Sequence, residues 1–205
     1  MPRKFSRRDW LATSVVSLTG LTLWRVVAAA QQLPPGVGMA APPPCDPSTK
    51  LTPARTPAGF RAGAPLRTRL NDANEPGQSL IVTGTVIGLR CGLIAGATVE
   101  AWHADAKGLS DAAGARLRGR QLTDAEGRYR IETIVPGAAA GQAPRVNLRI
   151  TVSGKATLNT TLFLPDAVAG AANKKDAAFD PLLAMTLLDR TATRISASFN
   201  VILDL

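Results

Sequence analysis

Imidazole, phenol and thiol groups are leading side-chain ligands for transition metals, and this 205-residue sequence holds very few of them. It has one histidine, His103, one tyrosine, Tyr129, and two cysteines, Cys45 and Cys91. One copy of the chain therefore cannot supply two imidazoles or two phenolates to a metal. The two cysteines suit a disulfide, which on a chain-entropy model would stabilise the fold by about 4 kcal/mol; two free buried thiols are the alternative. A cysteine metal site would need further soft ligands at a suitable spacing, and the sequence has none. Arg145, Asn147 and Arg149 alternate along one strand-like run, so their side chains share a face. Guanidinium forks match carboxylates in geometry, so this face could bind an anion or an aromatic acid. Three solvated polar side chains would give the same pattern.

The elements that carry these residues are short. With 45% hydrophobic residues, 4% aromatic residues, 18 Gly and 15 Pro, the chain favours many short elements divided by turns. Apolar runs at Leu80–Val86, Ala97–Trp102, Arg118–Thr123, Arg128–Ile134, Val146–Val152, Thr157–Leu164 and Ile195–Leu203 read as strands. Asn74-Glu75-Pro76-Gly77, Asp124-Ala125-Glu126-Gly127 and Val135-Pro136-Gly137 supply turn chemistry between them. Helix is expected only around Asp180–Leu188. The pattern predicts an all-β, antiparallel β-sandwich with little helix, in one domain over residues 59–205.

The formal charge of +9 is unevenly placed. Residues 1–30 hold five basic groups against one acid, a net +4, which leaves +5 for the rest. That remainder is scattered and lacks the interleaved aromatics that stack on bases, so nucleic acid is not an expected partner.

The basic start, the apolar stretch from Trp10 to Ala30 and the small residues that close it follow the order of an export signal. Within it, Ser6-Arg7-Arg8-Asp9-Trp10-Leu11 resembles the twin-arginine signal, with Arg7 and Arg8 as its pair. Cleavage near Ala30 is expected, leaving a periplasmic or secreted protein without a membrane segment; an uncleaved anchor is the alternative. Residues 31–58, with Pro34-Pro35-Gly36 and Pro42-Pro43-Pro44, read as an extended Pro-rich lead-in.

Four stretches carry a family resemblance. Val99-Glu100-Ala101-Trp102-His103-Ala104-Asp105-Ala106-Lys107-Gly108 and the run from Arg118-Gly119 through Thr123-Asp124, Gly127-Arg128-Tyr129 and Thr133-Ile134-Val135-Pro136-Gly137 are two of them. The others are Leu51-Thr52-Pro53 with Thr56-Pro57-Ala58-Gly59-Phe60, and the segments Leu158–Pro165 and Phe179–Leu205. Together they resemble the intradiol ring-cleavage dioxygenases, ferric enzymes that open catechol and protocatechuate rings. Transthyretin-like modules share the hairpin motif and are the weaker alternative.

The resemblance implies Fe(III) held by two tyrosinates and two histidines. Carried over position by position, those ligands fall on Ser110, Ala139, Arg145 and Asn147, and the arginine that stabilises the developing anion falls on Gln142. All five differ from the family pattern, so no catalytic residue and no bound cofactor are expected. A non-catalytic homologue is the leading expectation, with an iron-bearing paralogue subunit or a second copy of the chain as partner. The other readings are a module that binds a small aromatic acid through Arg145, Asn147, Arg149 or Gln142, and a dioxygenase with a non-standard metal or a site completed in trans.

Overall fold

In a computed structural model of the chain, residues 50–139, 141–155 and 157–205 are described. Nine strands form two sheets: β1 Ser79–Gly88, β2 Thr98–Trp102, β3 Arg118–Leu122, β4 Arg128–Ile134, β5 Arg145–Thr151, β6 Leu158–Phe163, β7 Thr186–Arg190, β8 Arg194–Ser198 and β9 Val201–Leu203. Two short helices, α1 Asp166–Ala169 and α2 Ala171–Lys175, follow β6. One sheet runs β4-β1-β8-β7 with β9 also on β1, and the other runs β3-β2-β5-β6. Most pairs are antiparallel, but β8 and β9 both run parallel to β1, an exception to the expected pattern.

The strands form where apolar residues alternate. Leu80, Val82 and Val86 of β1 meet Val99 and Ala101 of β2, Val146, Leu148 and Ile150 of β5 and Ile195 and Ala197 of β8 in one buried core. Every second residue of β5 is buried, and Arg145, Asn147 and Arg149 take the intervening, half-buried positions. The sandwich thus presents a polar stripe on its outer face from a strand whose inner face is wholly apolar.

Two segments depart from the expectations. The run Ile195–Leu203 is not one strand: it breaks at Phe199 and Asn200, where the backbone steps out over β1 and then resumes beside it in the same register. The Phe199 carbonyl accepts from the Tyr129 hydroxyl at 2.6 Å, and the Asn200 side chain accepts from Thr85 N–H at 2.9 Å. Gly84 makes room for this step, because a Cβ there would lie 1.8 Å from the Phe199 carbonyl oxygen. The helix expected over 180–188 is absent. Asp180 instead caps a three-residue 3-10 turn, Pro181–Leu183, and the chain continues into β7 against β8. Buried Leu183 and Met185 and half-buried Leu187 alternate with period two, and that packing outweighs the Asp-Pro helix-start signal.

The described part of the lead-in, residues 50–58, has no helix or strand but is tied down. Thr52 N–H donates to the Ile202 carbonyl at 3.0 Å and Arg55 N–H to that of Asn159 at 2.8 Å. Further on, residues 65–70 pair with Arg120 of β3 and Glu132 of β4, covering one edge of each sheet. Cys91 is disulfide-bonded. Cys45, the other cysteine of the sequence, and the expected signal with Arg7 and Arg8 lie outside the described residues.

Candidate functional site

A cavity of about 340 Å³ opens at one end of the β2-β5-β6 sheet. The β5 and β6 ends supply Arg145, Asn147, Thr161 and Phe163, the loop after β2 supplies Ser110, and the loop after β4 supplies Ala139 and Gln142. The two loops are held together backbone to backbone. Gly137 N–H donates to the Asp105 carbonyl at 2.8 Å, and a Cβ on Gly137 would lie 2.4 Å from the Ala106 carbonyl oxygen. Ser110, Ala139, Gln142, Arg145 and Asn147, singled out from the sequence, all line this one cavity.

Arg149 does not line it. Its guanidinium lies 4.2 Å from the centroid of the Phe60 ring, with Glu100 at 3.9 Å, so it packs the 58–61 loop onto the sheet. Arg145 faces the cavity, but its fork is already engaged: it pairs with Asp176, donates from Nε to the Ala143 carbonyl at 3.0 Å and lies over the Phe163 ring. Asp176 is buried and also accepts from the N–H groups of Ala143 (2.7 Å) and Ala178 (2.8 Å). Arg55, another lining residue, is paired with Asp180 at 2.5 Å. Asp176 and Asp180 belong to no site motif in the sequence; they meet Arg145 and Arg55 from segments more than thirty residues downstream of β5's start. Two closed ion pairs leave the wall without excess charge, so Arg145 is poorly placed to hold an external carboxylate.

The remaining donors are neutral. Asn147 Oδ1 accepts from the Thr161 hydroxyl at 3.1 Å, Ser110 and Gln142 are exposed, and Ala139 has no donor atom. A guanidinium has no lone pair to give. A hard, triply charged ferric ion calls for anionic oxygens and imidazoles, and this lining does not fit it.

The histidine and the tyrosine are used elsewhere. His103 is 5% exposed, with Nδ1 2.7 Å from the Ala104 carbonyl and Nε2 2.6 Å from the Thr133 hydroxyl. A carbonyl can only accept, so Nδ1 carries the proton and Thr133 donates to Nε2. Burial lowers the imidazole pKa to about 4, against opposing effects of the Ala104 carbonyl and Asp105. The unfolded chain therefore binds the extra proton first on acidification. Stability from this group is complete above pH 6.5 and falls as pH drops from there to about 4. Acid titration followed by circular dichroism is expected to show a loss on the order of 3 kcal/mol over that window, removed in His103→Gln; a flat profile would contradict the buried neutral ring. Tyr129 belongs to the core, and burial raises its pKa.

Comparison with known proteins agrees with this frame. Residues 57–156 match the family model described as Dioxygenase. Catechol 1,2-dioxygenase 2 of Acinetobacter lwoffii is 39% identical over 85 residues, 38% of this chain and 31% of that protein. The dioxygenase domain of a dioxygenase and carbohydrate-binding protein fusion from Streptomyces sp. SirexAA-E superposes with a TM-score of 0.71 at 32% identity, over 76% of this chain and 99% of that one. The chain belongs to the intradiol ring-cleavage dioxygenase family. The intradiol ring-cleavage dioxygenase of Tetranychus urticae shares the fold at 19% identity, with a TM-score of 0.69 over 77% of this chain and 96% of that one. Alignment with the catechol and chlorocatechol dioxygenases spans only 22% to 32% of their length. In this intradiol family member the cavity lies at the ends of β5 and β6, between the loops after β2 and β4.

Proposed function

We propose that this chain is a non-catalytic intradiol dioxygenase homologue that retains the family cavity without the family iron. One observation carries the reading: the five positions that the family motifs assign to iron ligation and anion stabilisation converge on one cavity as Ser110, Ala139, Gln142, Arg145 and Asn147, and a closed Arg145–Asp176 pair occupies its wall. The lone imidazole and the lone phenol are buried in hydrogen bonds of their own, so neither is free to replace a ligand. The reading includes a role beside an iron-bearing paralogue or a second copy of the chain. It also includes export, supported by the Arg7-Arg8 signal of the sequence.

Purified chain supplied with ferric salt, oxygen and either catechol or protocatechuate is expected to yield no ring-opened product and to consume no oxygen above the protein-free control. Product formed by the isolated chain would refute the non-catalytic reading. Affinity purification from the native cell is expected to recover an iron-bearing paralogue or a second copy, and a stable, isolated monomer would refute the partner role.

A further inference from the structure

Asn147 is half-buried on β5, opposite Thr161 of β6, and its Oδ1 accepts from the Thr161 hydroxyl at 3.1 Å. Among the described residues its Nδ2 has no acceptor, so two N–H donors in the cavity wall are unspent. Ser110 and Gln142, on the loops after β2 and β4, make no side-chain hydrogen bond among the described residues. Arg145 spends Nε on Ala143 and Nη2 on Asp176, which leaves Nη1. The cavity thus gathers two amides, a hydroxyl and part of a guanidinium whose charge is already balanced.

Two classes of ligand fit this wall poorly. An ion finds no counter-charge, because Arg145 is closed by Asp176 and Arg55 by Asp180. A flat ring finds no face to stack on. Phe163, the aromatic residue of the lining, is 1% exposed, with the Arg145 guanidinium 5.1 Å above its ring and Phe179 packed T-shaped at 5.2 Å. The other apolar contacts are mostly small, such as the methyl groups of Ala58, Ala104, Ala139, Ala143 and Ala178.

We infer that this cavity takes a neutral polyol, a compact saturated molecule bearing several hydroxyl groups. A hydroxyl donates and accepts at one atom, so neighbouring hydroxyls can meet the amides of Asn147 and Gln142, the Ser110 hydroxyl and Arg145 Nη1 with no charge stranded. The C–H groups of a saturated ligand rest on alanine methyls and need no stacking partner. A volume of about 340 Å³ matches small-ligand sites. The proposal rests on the reading of this cavity as free of iron, and it names a saturated ligand in place of the aromatic ones that the family resemblance implies.

Calorimetry on the purified full chain with myo-inositol, cyclohexanol and catechol tests it. The first two share a saturated six-membered ring and differ in their number of hydroxyls, whereas catechol carries two adjacent hydroxyls on a flat ring. Inositol is expected to bind about ten-fold more tightly than either, the effect of one or two net hydrogen bonds. Gln142→Ala, at an exposed position that folding does not depend on, is expected to weaken inositol about five-fold. Asn147→Ala weakens it about ten-fold where circular dichroism shows the variant folded. Arg190→Gln, which lies outside the cavity, has no effect. Equal or tighter binding of catechol or cyclohexanol, no heat with inositol, unchanged affinity in Gln142→Ala, or an equal loss in Arg190→Gln would each overturn the polyol site. Iron assay of the same preparation separates the two claims, since bound iron would refute the non-catalytic reading whatever inositol does.

Discussion

Gly84→Ala is expected to destabilise the chain by about 3 kcal/mol or more, enough to deplete soluble protein in a domain of ordinary stability. The physical cause is local. Gly84 lies in the central strand β1, and the added methyl carbon would stand 1.8 Å from the Phe199 carbonyl oxygen and 2.8 Å from the Tyr129 hydroxyl. Both neighbours are fixed: the carbonyl is main chain between β8 and β9, and the hydroxyl donates to it at 2.6 Å from a fully buried ring. Relief requires β9 to leave its parallel pairing with β1. Tyr129→Phe removes only the hydrogen bond and is expected to cost about 1 kcal/mol. Urea denaturation of both variants measures the difference, and a Gly84→Ala protein with the parental midpoint would contradict the close approach of the Phe199 carbonyl to Gly84.

Arg145→Met is expected to cost about 3 kcal/mol, because it leaves the buried Asp176 carboxylate without its cation. The side chain of Asp176 is 5% exposed and that of Arg145 20%, so solvent cannot readily take over the arginine's role. Adding Asp176→Asn to Arg145→Met removes the stranded charge, at the loss of one of the two N–H bonds, since Ala143 and Ala178 donate to different carboxylate oxygens and an amide keeps only one. The double variant should therefore be more stable than Arg145→Met alone. A double-mutant cycle by denaturant melting reads the coupling. Additive losses would mean that the two side chains act independently and that Arg145 is available to a ligand after all.

The sandwich was legible in the sequence because β2, β4 and β5 alternate, and because β1, β6 and β8 are short, largely buried runs bounded by turn residues. Arg128–Ile134 is read from the pattern with the bounds it has in the fold, and Arg145, Asn147 and Arg149 do share one face of β5. What failed to show was tertiary. Leu183, Met185 and Leu187 carry a period-two signal, but it is brief and follows an Asp-Pro pair that equally suits a helix start. The division of β8 from β9 depends on Gly84, far away in sequence, admitting a carbonyl.

The candidate site divides in the same way. The family resemblance, carried over position by position, led to Ser110, Ala139, Gln142, Arg145 and Asn147, and the fold gathers all five. No spacing could reveal that Asp176 would take Arg145, or that Arg149 would leave the cavity for Phe60. These contacts change the chemistry of the cavity: an arginine that looked open to anions is closed.

The most direct measurement is the iron content and visible spectrum of the purified chain after incubation with ferric citrate and gel filtration. A colourless protein with iron at trace level is the predicted result. A burgundy protein holding one iron per chain would contradict the account at its root.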